Sequence, residues 1–147
     1  MMTRKYYLAY GMNTNRQQMA QRCPAAISLG AVKLVDYKLA FRTFCDVVPS
    51  VGHQMDCALW SITDQCEQAL DRLEGFPDFY GKKEVSVIYK SKPIMAMIYY
   101  MKDLYKQSLP SANYLNLVTE GYMHHNMSIE QIYTAIDEVS NHEHYTW

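Results

Sequence analysis

The hydrophobic period changes along this chain, and the order of those changes constrains the fold more than any single motif. Tyr6-Tyr7-Leu8-Ala9-Tyr10 is a β-prone apolar run stopped by Gly11. Asn13 or Thr14 is placed to cap a short helix reaching about Arg22, which Pro24 would end. Strand-like spacing resumes over 25–44 with a bend near Asp36. A short strand over 45–49 then meets the turn residues Pro49, Ser50 and Gly52. A further strand is expected over 56–62.

Thr63 can cap a helix whose Cys66, Ala69, Leu70 and Leu73 recur at helical spacing, stopped by Gly75 and Pro77. Val85, Val87 and Tyr89 alternate with Ser86 and Ile88, and 94–101 would pair back antiparallel after a turn at 90–93. The last third is helical, with a helix opened by Pro110 and running to about Tyr122. Ser128 and Gln131 have capping-box spacing before an amphipathic run to Val139. Strand, helix, several strands and then helices predict a mixed α+β fold. Its sheet should be mainly antiparallel and closed into a small β-barrel with flanking helices.

At 147 residues the chain is one domain's worth, so 1–147 reads as a single domain with a short mobile tail from about 140. Fourteen basic against fifteen acidic residues leave a net charge of −1. That balance supplies no global field for nucleic acid or an anionic membrane surface, so neither is expected as a partner. The longest apolar run, eight residues over 94–101, is too short to span a bilayer, and no secretory leader is visible at the start. Cys23, Cys45, Cys57 and Cys66 are irregularly spaced without a CxxC pair. They read as reduced buried thiols and the protein as cytoplasmic, although four cysteines would also permit two disulfides.

Two strand-to-helix junctions could carry chemistry. Tyr10-Gly11-Met12-Asn13 places a glycine turn before a helix start whose free N–H groups suit an anion, though an ordinary turn explains it equally. Glu74 closes the second helix, near Leu70 and before Phe76. A carboxylate beside apolar groups at the negative helix pole would have a raised pKa, as a general acid/base requires. A solvated Glu74 paired with Lys82 or Lys83 is the simpler alternative on these residues alone. His124-His125 and the His142/His144 tail have no third ligand at a characteristic spacing, so no metal is assigned. No histidine is fixed near a cysteine, and no Walker loop or GxGxxG is present.

Three segments in order resemble the γ-glutamylcyclotransferase-like family, in a small bacterial or phage type. Tyr7-Leu8-Ala9-Tyr10-Gly11-Met12-Asn13 is similar to its strand running into Tyr-Gly-Ser-Asn. Ala58-Leu59-Trp60 and Leu70-Asp71-Arg72-Leu73-Glu74-Gly75 with Tyr80 resemble its Gly-x-Leu-Trp and Leu-Asp-x-x-Glu-Gly patterns. Pro110-Ser111-Ala112-Asn113-Tyr114 is similar to its helix-opening Pro-Ser-x-x-Tyr.

The resemblance implies a small barrel with a pocket at one end. It also implies a cofactor-free cyclisation of a γ-glutamyl group to 5-oxoproline with release of an amine. Glu74 would be the acid/base, the 7–13 segment would hold the glutamyl head, and Tyr80 and Tyr114 would complete the pocket. The partner is then a small γ-glutamyl substrate. Met12 stands in place of the family's Ser or Thr and Cys57 in place of a glycine. These departures bear on the substrate and motivate an alternative, a non-catalytic protein that sequesters a small metabolite in the same pocket. Thirteen tyrosines suit either a pocket or a contact surface, so no oligomeric state is assigned.

Overall fold

The computed structural model describes residues 3–102 and 106–145, with side chains through Val139. Strand β1 (Arg4–Ala9) leads through a 3-10 turn (Met12–Thr14) to helix α1 (Arg16–Arg22). Two long strands follow, β2 (Ile27–Arg42) and β3 (Phe44–Thr63), then helix α2 (Asp64–Glu74). The hairpin β4 (Tyr80–Tyr89) and β5 (Lys92–Met101) precedes helices α3 (Ala112–His124) and α4 (Glu130–Tyr145). The tail expected from about 140 lies outside the residues whose side chains are described, while the α4 backbone continues to Tyr145.

The five strands form one mixed sheet in the order β2-β3-β1-β5-β4. The mainly antiparallel α+β expectation holds, with one parallel pairing between β1 and β5 at Tyr7 and Met97. The barrel does not. Closure would require β2 and β4 to exchange ladder hydrogen bonds, yet among the described residues β2 pairs with β3 alone and β4 with β5 alone. The two end strands approach each other without a ladder, Lys83 of β4 lying over the Tyr37 ring of β2, and α4 packs on β2, where Lys38 meets Glu138 at 3.1 Å. Strand patterning fixes which face is apolar but not whether the two end strands pair.

The second correction concerns β3, which is one strand of twenty residues rather than two short ones. The β2–β3 hairpin turns at Thr43, with φ 69°, and Pro49 pairs with Tyr37. Residues 50–53 bulge where the register shifts between Val35 and Tyr37. Asp36 takes φ 66° there and its Oδ1 accepts from the Gly52 amide at 3.0 Å. The turn chemistry at 49–52 was therefore a bulge within a continuing strand.

Strand β1 is central and buried from Tyr7 onward, which accounts for its unbroken apolar run. All four cysteines are free and buried. Among the described residues no helix is long and apolar enough to cross a membrane. The expected capping box at Ser128 is replaced. Gln131 turns its carboxamide to Asp56, accepting from its amide at 2.7 Å and donating to its carbonyl at 3.0 Å, while the Ser128 amide donates to the Asp56 carboxylate at 2.7 Å.

Candidate active site

The chain leaves the buried end of β1 at Tyr10 and turns at Gly11. Glycine is favoured there by close approach rather than by a left-handed φ, since Gly11 sits at φ −121°. A Cβ on it would stand 3.0 Å from Cys45 Cβ and 3.1 Å from the Tyr114 hydroxyl. The 3-10 turn closes with the Thr14 amide donating to the Gly11 carbonyl at 3.0 Å, reinforced by the Thr14 hydroxyl at 2.7 Å. Asn15, not Asn13 or Thr14, caps α1, its Oδ1 accepting from the Gln17 and Gln18 amides. That shift by one turn position leaves the Asn13 side chain available.

Asn13 uses its carboxamide fully. Its Nδ2 donates to the Tyr7 hydroxyl oxygen at 3.0 Å and to Glu74 Oε1 at 3.4 Å, while its Oδ1 accepts from the Arg22 guanidinium. Met12 and Asn13 open the 3-10 turn, so their amides have no acceptor within it, and no hydrogen bond engages either amide among the described residues.

Helix α2 delivers Glu74. Thr63 caps its start, with Oγ1 accepting from the Cys66 amide at 3.2 Å, and Gly75 ends it in the left-handed conformation. Cys66 and Leu70 are buried against the sheet. Lys82 is committed elsewhere, to Glu67 at 2.7 Å and Asp71 at 3.0 Å, and Lys83 lies over the Tyr37 and Tyr100 rings. Glu74 therefore pairs with neither lysine, and it forms no ion pair among the described residues. Burial pushes its carboxyl up to about 7, against the opposing Arg22 charge and the Asn13 hydrogen bond.

These elements surround a cavity of about 260 Å³. Glu74, Tyr7, Leu8, Tyr10 and Gly11 line it, and so do Met12, Asn13, Tyr80 and Tyr114. Ala9 does not: it is buried in β1 opposite Ala58. Both pocket tyrosines hold Cys45, Tyr80 by donating its O–H to the Cys45 carbonyl at 2.7 Å and Tyr114 by accepting from the Cys45 amide at 3.0 Å. Tyr10 donates to the Tyr99 carbonyl at 2.7 Å. Burial raises these phenols above their ordinary range, so they stay protonated at neutral pH.

Arg22, Phe44, Cys45, Leu73, Phe79 and Tyr99 also line the cavity and were not singled out by sequence. Phe44 and Cys45 arrive through the hairpin turn at Thr43, a long-range placement without a local motif. Arg22 had a signal, as the cation ending the helix that follows the glycine turn. The Cys45 thiol is pushed up to about 12, chiefly by burial, so it is protonated and a poor nucleophile.

The family model described as "Gamma-glutamyl cyclotransferase, AIG2-like" matches residues 7–121, a span holding the glycine turn, Glu74 and Tyr114. The chain belongs to that family. Its fold superposes on a structure named γ-glutamyl cyclotransferase with a TM-score of 0.79 and 24% identity, over 87% of this chain and 83% of the other. An uncharacterized protein from Homo sapiens gives a TM-score of 0.78 and 25% identity over 86% and 83%. YkqA from Bacillus subtilis gives 0.79 and 16% identity, with 94% of this chain spanning 55% of YkqA. No curated protein sequence matches the chain. Membership in this enzyme family supports an enzymatic role. At these identities the structural likenesses speak to the fold.

Proposed function

We propose that the protein is a γ-glutamyl amine or peptide cyclotransferase that converts a γ-glutamyl group to 5-oxoproline and releases the attached amine. The observation that carries this reading is Glu74: an unpaired carboxylate in a cavity, held beside the Gly11–Asn13 turn, with its pKa raised by burial to about 7. A base of that strength is divided between its two forms near neutral pH, which suits a group that must both accept and return a proton.

In the proposed reaction Glu74 takes a proton from the substrate's α-ammonium. The freed α-amine attacks the γ-carbonyl, closing a five-membered ring and forming a tetrahedral oxyanion. Collapse breaks the bond from the γ-carbon to the departing nitrogen as Glu74 returns its proton to that nitrogen. The ring nitrogen gives its second proton to the re-ionised Glu74, which passes it to the released amine so that it leaves as an ammonium. No atom is gained or lost beyond the exchange of one N–C bond for another. Attack is intramolecular, so holding the glutamyl chain folded supplies much of the acceleration. The Met12 and Asn13 amides are suitable donors for the oxyanion, and Arg22 is the cation in the cavity suited to the α-carboxylate.

Purified protein incubated with γ-glutamyl amides and peptides should yield 5-oxoproline by mass spectrometry, and Glu74→Gln should cut the rate by about a hundredfold or more while remaining folded. Turnover unaffected by Glu74→Gln would remove Glu74 from the role. The apolar Met12 at the turn is the observation favouring sequestration instead. That reading requires a ligand recovered chemically unchanged and no turnover across the panel.

A further inference from the structure

The cavity is chemically divided. Its inner part is polar, with Asn13, Tyr7 and Tyr10 almost fully buried and Arg22 bonded to Asn13. Its rim is apolar and open to solvent: Phe44 is 43% exposed and Leu73 is 48% exposed, and both line the cavity. Large apolar side chains are not left at a pocket mouth without a cost in hydration, so their contact with a ligand is a gain waiting to be made.

The rim is also built rather than incidental. Phe44 stands edge-to-face with Tyr114, centroids 5.4 Å apart, and with Phe79 at 6.4 Å; Phe79 in turn meets Tyr80 at 5.1 Å. These contacts fix an aromatic wall whose members Tyr80 and Tyr114 also line the cavity.

Charge sharpens the division. Among the described lining residues Glu74 and Arg22 alone carry full charges, and both lie with the polar inner part. The nearby lysines are spoken for: Lys82 by Glu67 and Asp71, Lys83 by two aromatic rings. A leaving group bearing a carboxylate or a second ammonium would bring that charge to a rim whose described lining residues offer it no partner, and would have to be partly desolvated there.

Resting on the reading that this cavity receives a γ-glutamyl group, we infer that the amine it releases has an uncharged apolar or aromatic body, bound by Phe44, Leu73 and Phe79. The glutamyl head occupies the polar inner part, and the apolar body of the departing amine lies along the rim, from which it exits. The rim residues are specificity-determining: they contact the part of the substrate remote from the reacting bond.

Binding to the inactive Glu74→Gln protein tests this separately from turnover. Calorimetry with γ-glutamyl-phenethylamide, γ-glutamyl-methylamide and ε-(γ-glutamyl)-lysine should show the phenethylamide at least tenfold tighter than either other compound, the usual order for apolar pocket contacts. In the Phe44→Ala and Leu73→Ser backgrounds the ratio of phenethylamide to methylamide affinity should fall toward one, and having two variants guards against one that fails to fold. Equal affinities for the three compounds, or a ratio unchanged in both variants, would overturn the inference. Absence of 5-oxoproline from the unsubstituted protein would instead overturn the cyclotransferase reading, and the affinity ratios would still decide what the rim binds.

Discussion

Asn13 donates to the Glu74 carboxylate across 3.4 Å while its carbonyl oxygen accepts from Arg22, so one carboxamide stands between the cation and the acid. At that length the bond to Glu74 is a modest one. Arg22 therefore acts on Glu74 through space rather than in an ion pair, and burial outweighs both stabilising influences. Direct contact with the guanidinium would drive the carboxyl well below neutral and leave a weak base.

The pH dependence of turnover should report this arrangement. The proposed base must be ionised to begin the reaction, so kcat/KM should fall on the acid side with an apparent pKa of about 7. Arg22→Met and Asn13→Ala each remove an influence that lowers the Glu74 pKa, and both should move the acid limb to higher pH, Arg22→Met further. Initial rates of 5-oxoproline release from pH 5 to 9 measure this. A limb near 4.5 in the unsubstituted protein would mean that another group titrates.

Glu74→Gln should reduce turnover by about 10²–10⁴-fold, the usual worth of a positioned acid/base. Its effect on stability has a definite sign. The carboxyl binds its proton more tightly in the folded protein, at about 7 against an ordinary 4.5, so folding is favoured in acid and loses stability as pH rises between those values. Above pH 7 the ionised Glu74 costs roughly 2–3 kcal/mol, reckoned at about 1.4 kcal/mol per pKa unit and allowing for partial exposure. The amide does not ionise. Thermal unfolding should therefore show Glu74→Gln stabilised relative to the unsubstituted protein at pH 8 and the difference largely gone at pH 4. A difference independent of pH would contradict the buried, unpaired carboxylate.

What could be read in the sequence was local. Thr63 and Gly75 bound α2 because an N-cap oxygen and a left-handed glycine act within one helical turn, and the unbroken apolar run before Gly11 marks β1 as a strand. Glu74 and the Tyr10–Gly11 turn stood out for the same reason. Long-range placements left no such trace. Nothing around Thr43 marks it as the hairpin turn, and Pro49 and Gly52 imitate one within a bulged strand. Phe44 and Cys45 consequently reach the cavity unannounced. The open sheet was equally hidden, since closure depends on two edge strands far apart in sequence.

Tyr122 ties the far side of the molecule to the site. Its hydroxyl donates to the Tyr10 carbonyl at 2.7 Å and accepts from Gln131 Nε2 at 3.0 Å, and Gln131 is held in turn by Asp56. Tyr122→Phe leaves a buried carbonyl without its donor and should cost about 1–3 kcal/mol in urea unfolding. Because the orphaned carbonyl belongs to the residue before Gly11, the same substitution should weaken γ-glutamyl ligand binding to the Glu74→Gln protein. A stability loss with unaltered affinity would confine Tyr122 to the core.

Gly11 in the site loop and Gly121, on the helix α3 that packs against it, should differ in how severely they resist a methyl group. On Gly11 the new Cβ meets Cys45 Cβ at 3.0 Å and the Tyr114 hydroxyl at 3.1 Å, both inside ordinary contact distance. Cys45 cannot withdraw freely, since Tyr80 and Tyr114 hold its carbonyl and amide. Gly11→Ala should therefore cost about 1–3 kcal/mol, the usual range for overpacking, and Tyr114→Phe should relieve part of it by removing one of the two contacts. On Gly121 the methyl would fall on Thr14 Oγ1 and lie 2.5 Å from the Asn15 amide nitrogen, where α3 packs on the 3-10 turn. Backbone cannot rotate aside as a phenol can, and Asn15 is fixed further by donating from Nδ2 to the Leu117 carbonyl at 3.0 Å. Gly121→Ala should accordingly destabilise more than Gly11→Ala and push α3 off the turn that carries Met12 and Asn13. Paired urea titrations give the order directly. A Gly121→Ala protein as stable as the unsubstituted one would mean that α3 does not press on this loop in solution.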